Sequence, residues 1–191
     1  MIDSDSQLIH KAKSGNKHAF GILVKKYQEK ILYLAYDLTG SYEEAKDIAQ
    51  EAFLKAFRKL GQFEERSKFS TWMHRITYNL AIDYHRRKQR NPHQSIDEDP
   101  SSIQSTPALI EENAINSLEK ALEVEEVKAQ LEAAIQKLSP NQRTATVLRY
   151  FHQKSSKEIA EIMNCAESTV RIHIFRALSN LKILLSRSNE K

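Results

Sequence analysis

The sequence predicts an all-α protein of two small helical domains joined by a flexible acidic linker, and three observations predict it. Only four glycines and four prolines interrupt 191 residues, which leaves long stretches with helical apolar spacing. Charge is partitioned: residues 1–91 hold 17 Lys+Arg against 11 Asp+Glu, residues 92–127 hold 1 against 9, and residues 128–191 hold 11 against 5. Between the two basic blocks, RKQRNPHQSIDEDPSSIQSTPALIEEN combines proline, serine and acidic residues without an apolar period, so it buries too little surface to offset its ordering entropy. The expected division is a helical domain over 1–91, a tether over 92–116 and a second helical domain over 117–191.

In the first domain the most regular helix is SYEEAKDIAQEAFLKAFRKLGQF, opened by a Ser41–Glu44 capping pair and closed by Gly61. Ala45, Ile48, Ala49, Ala52, Phe53, Ala56, Phe57 and Leu60 share one face at helical spacing and form its core side. Opposite runs a stripe of Asp47, Gln50, Glu51, Leu54 and Arg58, one leucine among polar groups. The pattern fits a helix-docking surface for a protein partner, and equally a solvated face with one stray leucine.

The helix FSTWMHRITYNLAIDYHRRKQR follows, with Ser70 as its expected cap and Trp72, Met73, Ile76, Leu80 and Tyr84 on its packed side. Its other side carries Arg75, Tyr78, Asn79, Ile82, Arg86 and Gln89. Aromatics beside cations suit unpaired bases, which need stacking and phosphate neutralisation together, and an asparagine can read a base edge.

In the second domain, Leu118, Leu122, Val127, Leu131, Ile135 and Leu138 repeat at helical spacing up to Ser139-Pro140, which start the next helix as cap and first-turn proline. KEIAEIMNCAESTVRIHIFRALSNL then has the layout of a helix-turn-helix. Ala160 permits a close helix crossing, Asn164 tolerates a left-handed turn, and Val170 packs inward. On the second helix, Val170, Ile174, Ala177, Leu178, Leu181 and Leu185 form the apolar side; Ser168, Thr169, Ile172, Phe175, Arg176 and Ser179 face outward, flanked by Arg171 and His173. Hydroxyls, guanidinium groups and exposed apolar atoms on one free face suit a DNA major groove. The single cysteine, Cys165, excludes an internal disulfide and reads as a packing residue.

Catalysis finds no support. Glu43, Glu44, Asp47 and Glu51 point away from the apolar stripe, no Glu-x-x-His spacing occurs, and no phosphate loop or nucleophile elbow is present, so neither cofactor nor metal is expected. No run is long enough to span a bilayer and the start lacks a signal-peptide core, which points to the cytoplasm.

DIAQEAFLKAF, FSTWMHRITYNLAIDYHRR and LSPNQRTATVLRYFHQKSSKEIAEIMNCAESTVRIHIFRAL, in that order around an acidic linker, resemble the extracytoplasmic-function sigma factors of bacterial RNA polymerase. The resemblance implies that Asp47, Gln50, Glu51, Leu54 and Arg58 bind the clamp coiled coil of the polymerase largest subunit, and that a further contact is made with the flap region. It implies minus-ten recognition and melting by the Glu64–Ser70 loop with Lys68, Ser70, Trp72, Arg75, Tyr78, Asn79, Arg86 and Arg87. It implies minus-thirty-five recognition by Ser168, Thr169, Arg171, Ile172, His173, Phe175 and Arg176. Many members carry serine and arginine where this chain has Ile172 and His173, and an arginine in place of Leu178. An anti-sigma factor is the implied regulator, and the acidic linker is expected to thread polymerase channels as a nucleic-acid mimic. Two other classes, a symmetric helix-turn-helix repressor and a non-specific single-strand binder, leave the Asp47 stripe or the promoter-reading pattern without a use.

Overall fold

A computed structural model describes residues 4–90 and 125–188, all of them in helices or short connections. The acidic tether and the apolar repeat at Leu118 and Leu122 lie outside the described residues. The first unit comprises α1 (Ser4–Lys13), α2 (Lys17–Thr39), α3 (Tyr42–Lys59), a 3-10 turn (Leu60–Gln62) and α4 (Phe69–Arg90). The second comprises α5 (residues 125–136), α6 (Pro140–Tyr150), α7 (Ser156–Met163) and α8 (Glu167–Ser188). Among the described residues no helix is long and apolar enough to cross a membrane.

The first unit is built around α2. Asn16 opens this helix by accepting from the Ala19 backbone, and Gly40 closes it in a left-handed conformation at φ +74. Leu23, Ile31, Leu34 and Leu38 from α2 meet Ala45, Ala52 and Ala56 of α3 and Met73 of α4, all buried. The alanines let α3 lie close against α2, as their helical spacing requires.

Several local expectations need correction. The α3 helix ends at Lys59, and Gly61 sits in the 3-10 turn without the positive φ of a left-handed cap. Phe57, placed on the core face, is 44% exposed although its ring lies 5.0 Å from Phe20. The α4 helix begins at Phe69, so Ser70 lies within its first turn; the preceding Lys68 carbonyl accepts from the Trp72 N–H. Ser139 holds the cap position of α6 through its backbone carbonyl, which accepts from Arg143 N–H, and its hydroxyl makes no capping bond.

The two units pack against each other along α4. His74, Tyr78 and His85 of α4 form a single stripe at helical spacing, and each meets a residue of the second unit. The His74 ring lies 5.9 Å from that of His152, the Tyr78 hydroxyl donates to Asn141 at 3.2 Å, and His85 Nε2 lies 3.0 Å from Arg143. At the end of α2, Gln136 donates to the Asp37 carbonyl at 3.1 Å, and His152 Nε2 lies 2.9 Å from the Asp37 carboxylate. A Cβ on Gly40 would stand 2.7 Å from the Gln136 side chain, so this glycine serves both the left-handed turn and the close approach.

Arg143 is the centre of the seam. Its guanidinium donates to Ile135 and Leu138 carbonyls at 3.2 and 3.4 Å, to the Gln136 carbonyl, and to the Leu38 carbonyl across the seam at 2.7 Å. These carbonyls lie at the C-terminal ends of α5 and α2, where intrahelical donors run out, so one buried cation caps two helices, one in each unit.

Candidate nucleic-acid interface

The second unit shows how the helix-turn-helix is set. Ser155 and Glu158 form a full capping box before α7: the Ser155 hydroxyl accepts from Glu158 N–H at 3.2 Å, and the Glu158 carboxylate accepts from Ser155 N–H at 2.9 Å. The Ser155 backbone bond is the leading cause that lowers the Glu158 pKa. Asn164 closes α7 at φ 52, the left-handed turn expected for it. Ile159, Ile162 and Val170 are buried and fix the angle at which α8 leaves the turn. Cys165 is partly buried against this core, and burial pushes its thiol pKa up, which keeps it protonated and unreactive.

On α8, Ser168, Arg171, Ile172, Phe175 and Arg176 are exposed, Thr169 and His173 are half-buried, and Val170, Ala177 and Leu181 are buried. Phe175 stands out at 72% exposure. Burial, then the nearby Arg176 charge, lowers the pKa of His173, so it presents a neutral ring rather than a third cation beside Arg171 and Arg176. Leu178, expected on the packed side, is 46% exposed. It lies at the edge of the apolar stripe, where none of the described residues covers it far enough to exclude water.

On the first unit, Lys68, Arg75, Asn79, Arg86 and Arg87 are exposed, Ser70 is half-buried, and Tyr78 is half-covered at the seam. Trp72 is not on this face. Its ring stacks on Phe63 at 4.8 Å and lies 5.7 Å from Phe69, inside an aromatic cluster. Phe63 and Phe69 bracket the 64–68 loop, so Trp72 pins both ends of it.

The structure adds a second support for that loop, which sequence reasoning missed. Lys13 of α1 donates to the Phe63 carbonyl at 2.6 Å and to Glu65 at 3.0 Å, and Ser6 donates to Glu65 at 2.9 Å. Glu65 adopts φ 58, uncommon for a side-chain-bearing residue, and the Lys13 bond is the main reason its carboxyl titrates below the usual range. The sequence carries no signal for it, because glutamate does not favour positive φ and its partners Ser6 and Lys13 lie 59 and 52 residues away.

Asp47, Gln50, Glu51, Leu54 and Arg58 are all exposed on α3 as one stripe, with Leu54 at 51%. Beside it, Lys25, Lys30 and Lys46 rim a groove floored by Val24 and Phe53, and Gln50 lines both surfaces. The stripe and the Arg75–Asn79–Arg86 face belong to one helical unit, while the α8 face belongs to the other.

Comparison with known proteins agrees with this division. Residues 23–91 match the Sigma-70 region 2 family and residues 128–181 match Sigma-70, region 4. The chain is 41% identical to the RNA polymerase sigma-H factor of Pseudomonas aeruginosa over 92% of its length and 90% of the relative's. It is 34% identical to the ECF RNA polymerase sigma factor SigW of Bacillus subtilis, covering 91% of this chain and 92% of that protein. Among solved structures, the sigma factor RpoE in complex with the anti-sigma factor NepR from Bartonella quintana superposes with a TM-score of 0.62 at 23% identity, covering 87% of this chain and 96% of that one. Conserved over nearly their whole length with these relatives, and carrying both sigma regions in order, the chain belongs to the extracytoplasmic-function (ECF) family of RNA polymerase sigma factors.

Proposed function

We propose that region 2 docks on the polymerase largest subunit through Asp47, Gln50, Glu51, Leu54 and Arg58, and reads and melts the minus-ten element through the 64–68 loop and the Arg75–Asn79–Arg86 face. The observation that carries this reading is the pairing of an anchored loop with an exposed face of cations and an amide on the adjoining helix. Phosphate neutralisation by Lys68, Arg75, Arg86 and Arg87, with Ser70 and Asn79 beside a displaced base, offsets an unpairing cost of a few kcal/mol. Trp72 acts by holding the loop rather than by touching DNA, and Tyr78 becomes available when Asn141 leaves it. Region 4 reads the minus-thirty-five element with Ser168, Thr169, Arg171, Ile172, His173, Phe175 and Arg176, and the tether makes the second contact effectively intramolecular. An anti-sigma factor would act by covering these exposed faces.

The test is direct. Purified chain should co-elute with core polymerase and confer run-off transcription on one promoter class. Co-elution without promoter-dependent transcription, or DNA binding as a symmetric dimer without polymerase, would defeat the proposal.

Ile172 sets a further expectation. It is 49% exposed beside Phe175, so the centre of the reading face is apolar and suited to a thymine methyl. Ile172→Ser should shift the preferred base at one minus-thirty-five position by about three- to tenfold, the effect of removing one or two buried apolar groups. Selection from randomised minus-thirty-five sequences checks this; an unchanged consensus rules it out.

A further inference from the structure

We propose that the seam between region 2 and region 4 is a proton-operated latch: uptake of protons at His74 and His85 releases region 4 from α4.

The latch matters because the packed arrangement cannot read a promoter. Elements named minus-thirty-five and minus-ten lie about 25 base pairs apart, or about 85 Å along a duplex at about 3.4 Å per step. In the packed chain α4 lies against α7, and α7 against α8, so the two reading helices are separated by about two helix-packing distances of 8–10 Å each. Both elements can be engaged together only after the seam opens. This consequence rests on the promoter-reading assignment above, whereas the seam itself does not.

The residues that close the seam are unusual for a contact that must come apart. His74 is buried at 4% exposure and its Nδ1 makes no hydrogen bond to protein. Lys154 and His152 face it from the connection between α6 and α7, Glu158 from α7 and Lys30 from α2. Three of those four groups are or can become cations, so a charge on His74 finds one carboxylate and several like charges. Burial first, then Lys154 and His152, holds its pKa down at about 3.

His85 has a different conflict. Its Nε2 lies 2.9 Å from the Leu38 carbonyl of α2 and 3.0 Å from the Arg143 guanidinium of α6. That nitrogen can accept from Arg143 only when unprotonated; an imidazolium would set two cations 3.0 Å apart. Lys88 and Tyr84 are its neighbours on α4. Burial is the main cause that lowers its pKa, with the Leu38 bond raising it and Arg143 lowering it further.

His152 Nε2 also lies 2.9 Å from the Asp37 carboxylate, a contact across the seam that adds to closure. The pair is 15% and 22% exposed at its side chains, so it keeps some solvent. The sign follows from the two depressed groups. The open chain binds protons at His74 and His85 below the ordinary histidine pKa of about 6.5, and the closed chain binds them less readily. Closure is therefore fully favoured above about pH 6.5 and weakens as pH falls, by about tenfold in the closed-to-open ratio per pH unit at His74, with His85 acting in the same direction.

The experiment uses the full chain with Cys165→Ser and fluorophores on Lys17→Cys and Lys182→Cys, both exposed positions in opposite units. Energy transfer should fall between pH 7.5 and 5.5 while far-ultraviolet circular dichroism stays constant, and the fall should reverse on return to pH 7.5. His74→Gln with His85→Gln should keep transfer high at pH 5.5. Transfer that does not change with pH, that is already low at pH 7.5, or that falls together with helix content overturns the latch. So does acid opening that persists in the double glutamine variant. None of these outcomes depends on polymerase or promoter DNA, so failure of the latch and failure of the promoter-reading assignment are separately visible.

Discussion

Arg143→Met is expected to lower the thermal midpoint of the chain by about 6–12 °C, the shift that follows from about 3 kcal/mol in a protein of this size. The guanidinium is 6% exposed and its partners are carbonyls at the ends of α5 and α2 rather than a carboxylate. Burial lowers its pKa, yet a guanidinium is so strongly basic that the group stays charged. Methionine fills a similar volume but removes the guanidinium donor from the Gln136 and Leu138 carbonyls, at roughly 1–3 kcal/mol for each buried orphan that water cannot reach, while the Ile135 carbonyl keeps the Leu138 N–H at 3.1 Å. Loss of the Leu38 bond is milder, because His85 still lies 2.9 Å from that oxygen. Arg143→Lys should recover only part of the loss, since one ammonium cannot span carbonyls on opposite sides of a planar fork. Melting followed at 222 nm checks both variants. A shift under about 3 °C for Arg143→Met, corresponding to about 1 kcal/mol, would show that the two helix ends are capped by something else.

The same residue shows where sequence reading stopped. Within LSPNQR, Arg143 lies in a polar stretch after a proline and gives no periodic signal, because what buries it is the meeting of two helix ends 105 residues apart. His74 and His85 are hidden for a similar reason: on α4 they fall between the apolar side and the basic side, and only the second unit makes them interior. Trp72 was legible as packed, from its spacing with Met73 and Ile76, but its partners Phe63 and Phe69 depend on how the 64–68 loop folds back. By contrast, the helix-turn-helix was legible almost residue by residue. Ala160, Asn164 and Val170 are constrained by local sterics, and local sterics are what a sequence displays directly. Leu178 marks the limit of that method: its place on the helical wheel is apolar, but exposure is decided by whether a neighbouring helix extends over it. The charge partition indicated two basic units correctly, and carried no information that they pack together.

Leu54→Asp is expected to weaken binding to core polymerase by about thirtyfold or more, the loss of at least 2 kcal/mol typical of a central interface anchor. Leu54 is 51% exposed, so it contributes little to the fold of α3, and the buried face of that helix is carried by Ala45, Ile48, Ala52 and Ala56. A charge at that position would be buried against the partner without a counter-ion already facing it, whereas Leu54→Ala removes only apolar contact. The alanine variant should therefore fall between wild type and aspartate, by about tenfold. Asp47→Lys is the informative contrast. Asp47 lies at the edge of the stripe, where a charge acts at a distance, so its reversal should slow association and alter the salt dependence more than it speeds dissociation. Association and dissociation rates measured on immobilised core polymerase, with circular dichroism as the folding control, separate these outcomes. Equal affinity in wild type and Leu54→Asp would return the stripe to an ordinary solvated face, and the lysine-rimmed groove that shares Gln50 with it would become the surface to test next.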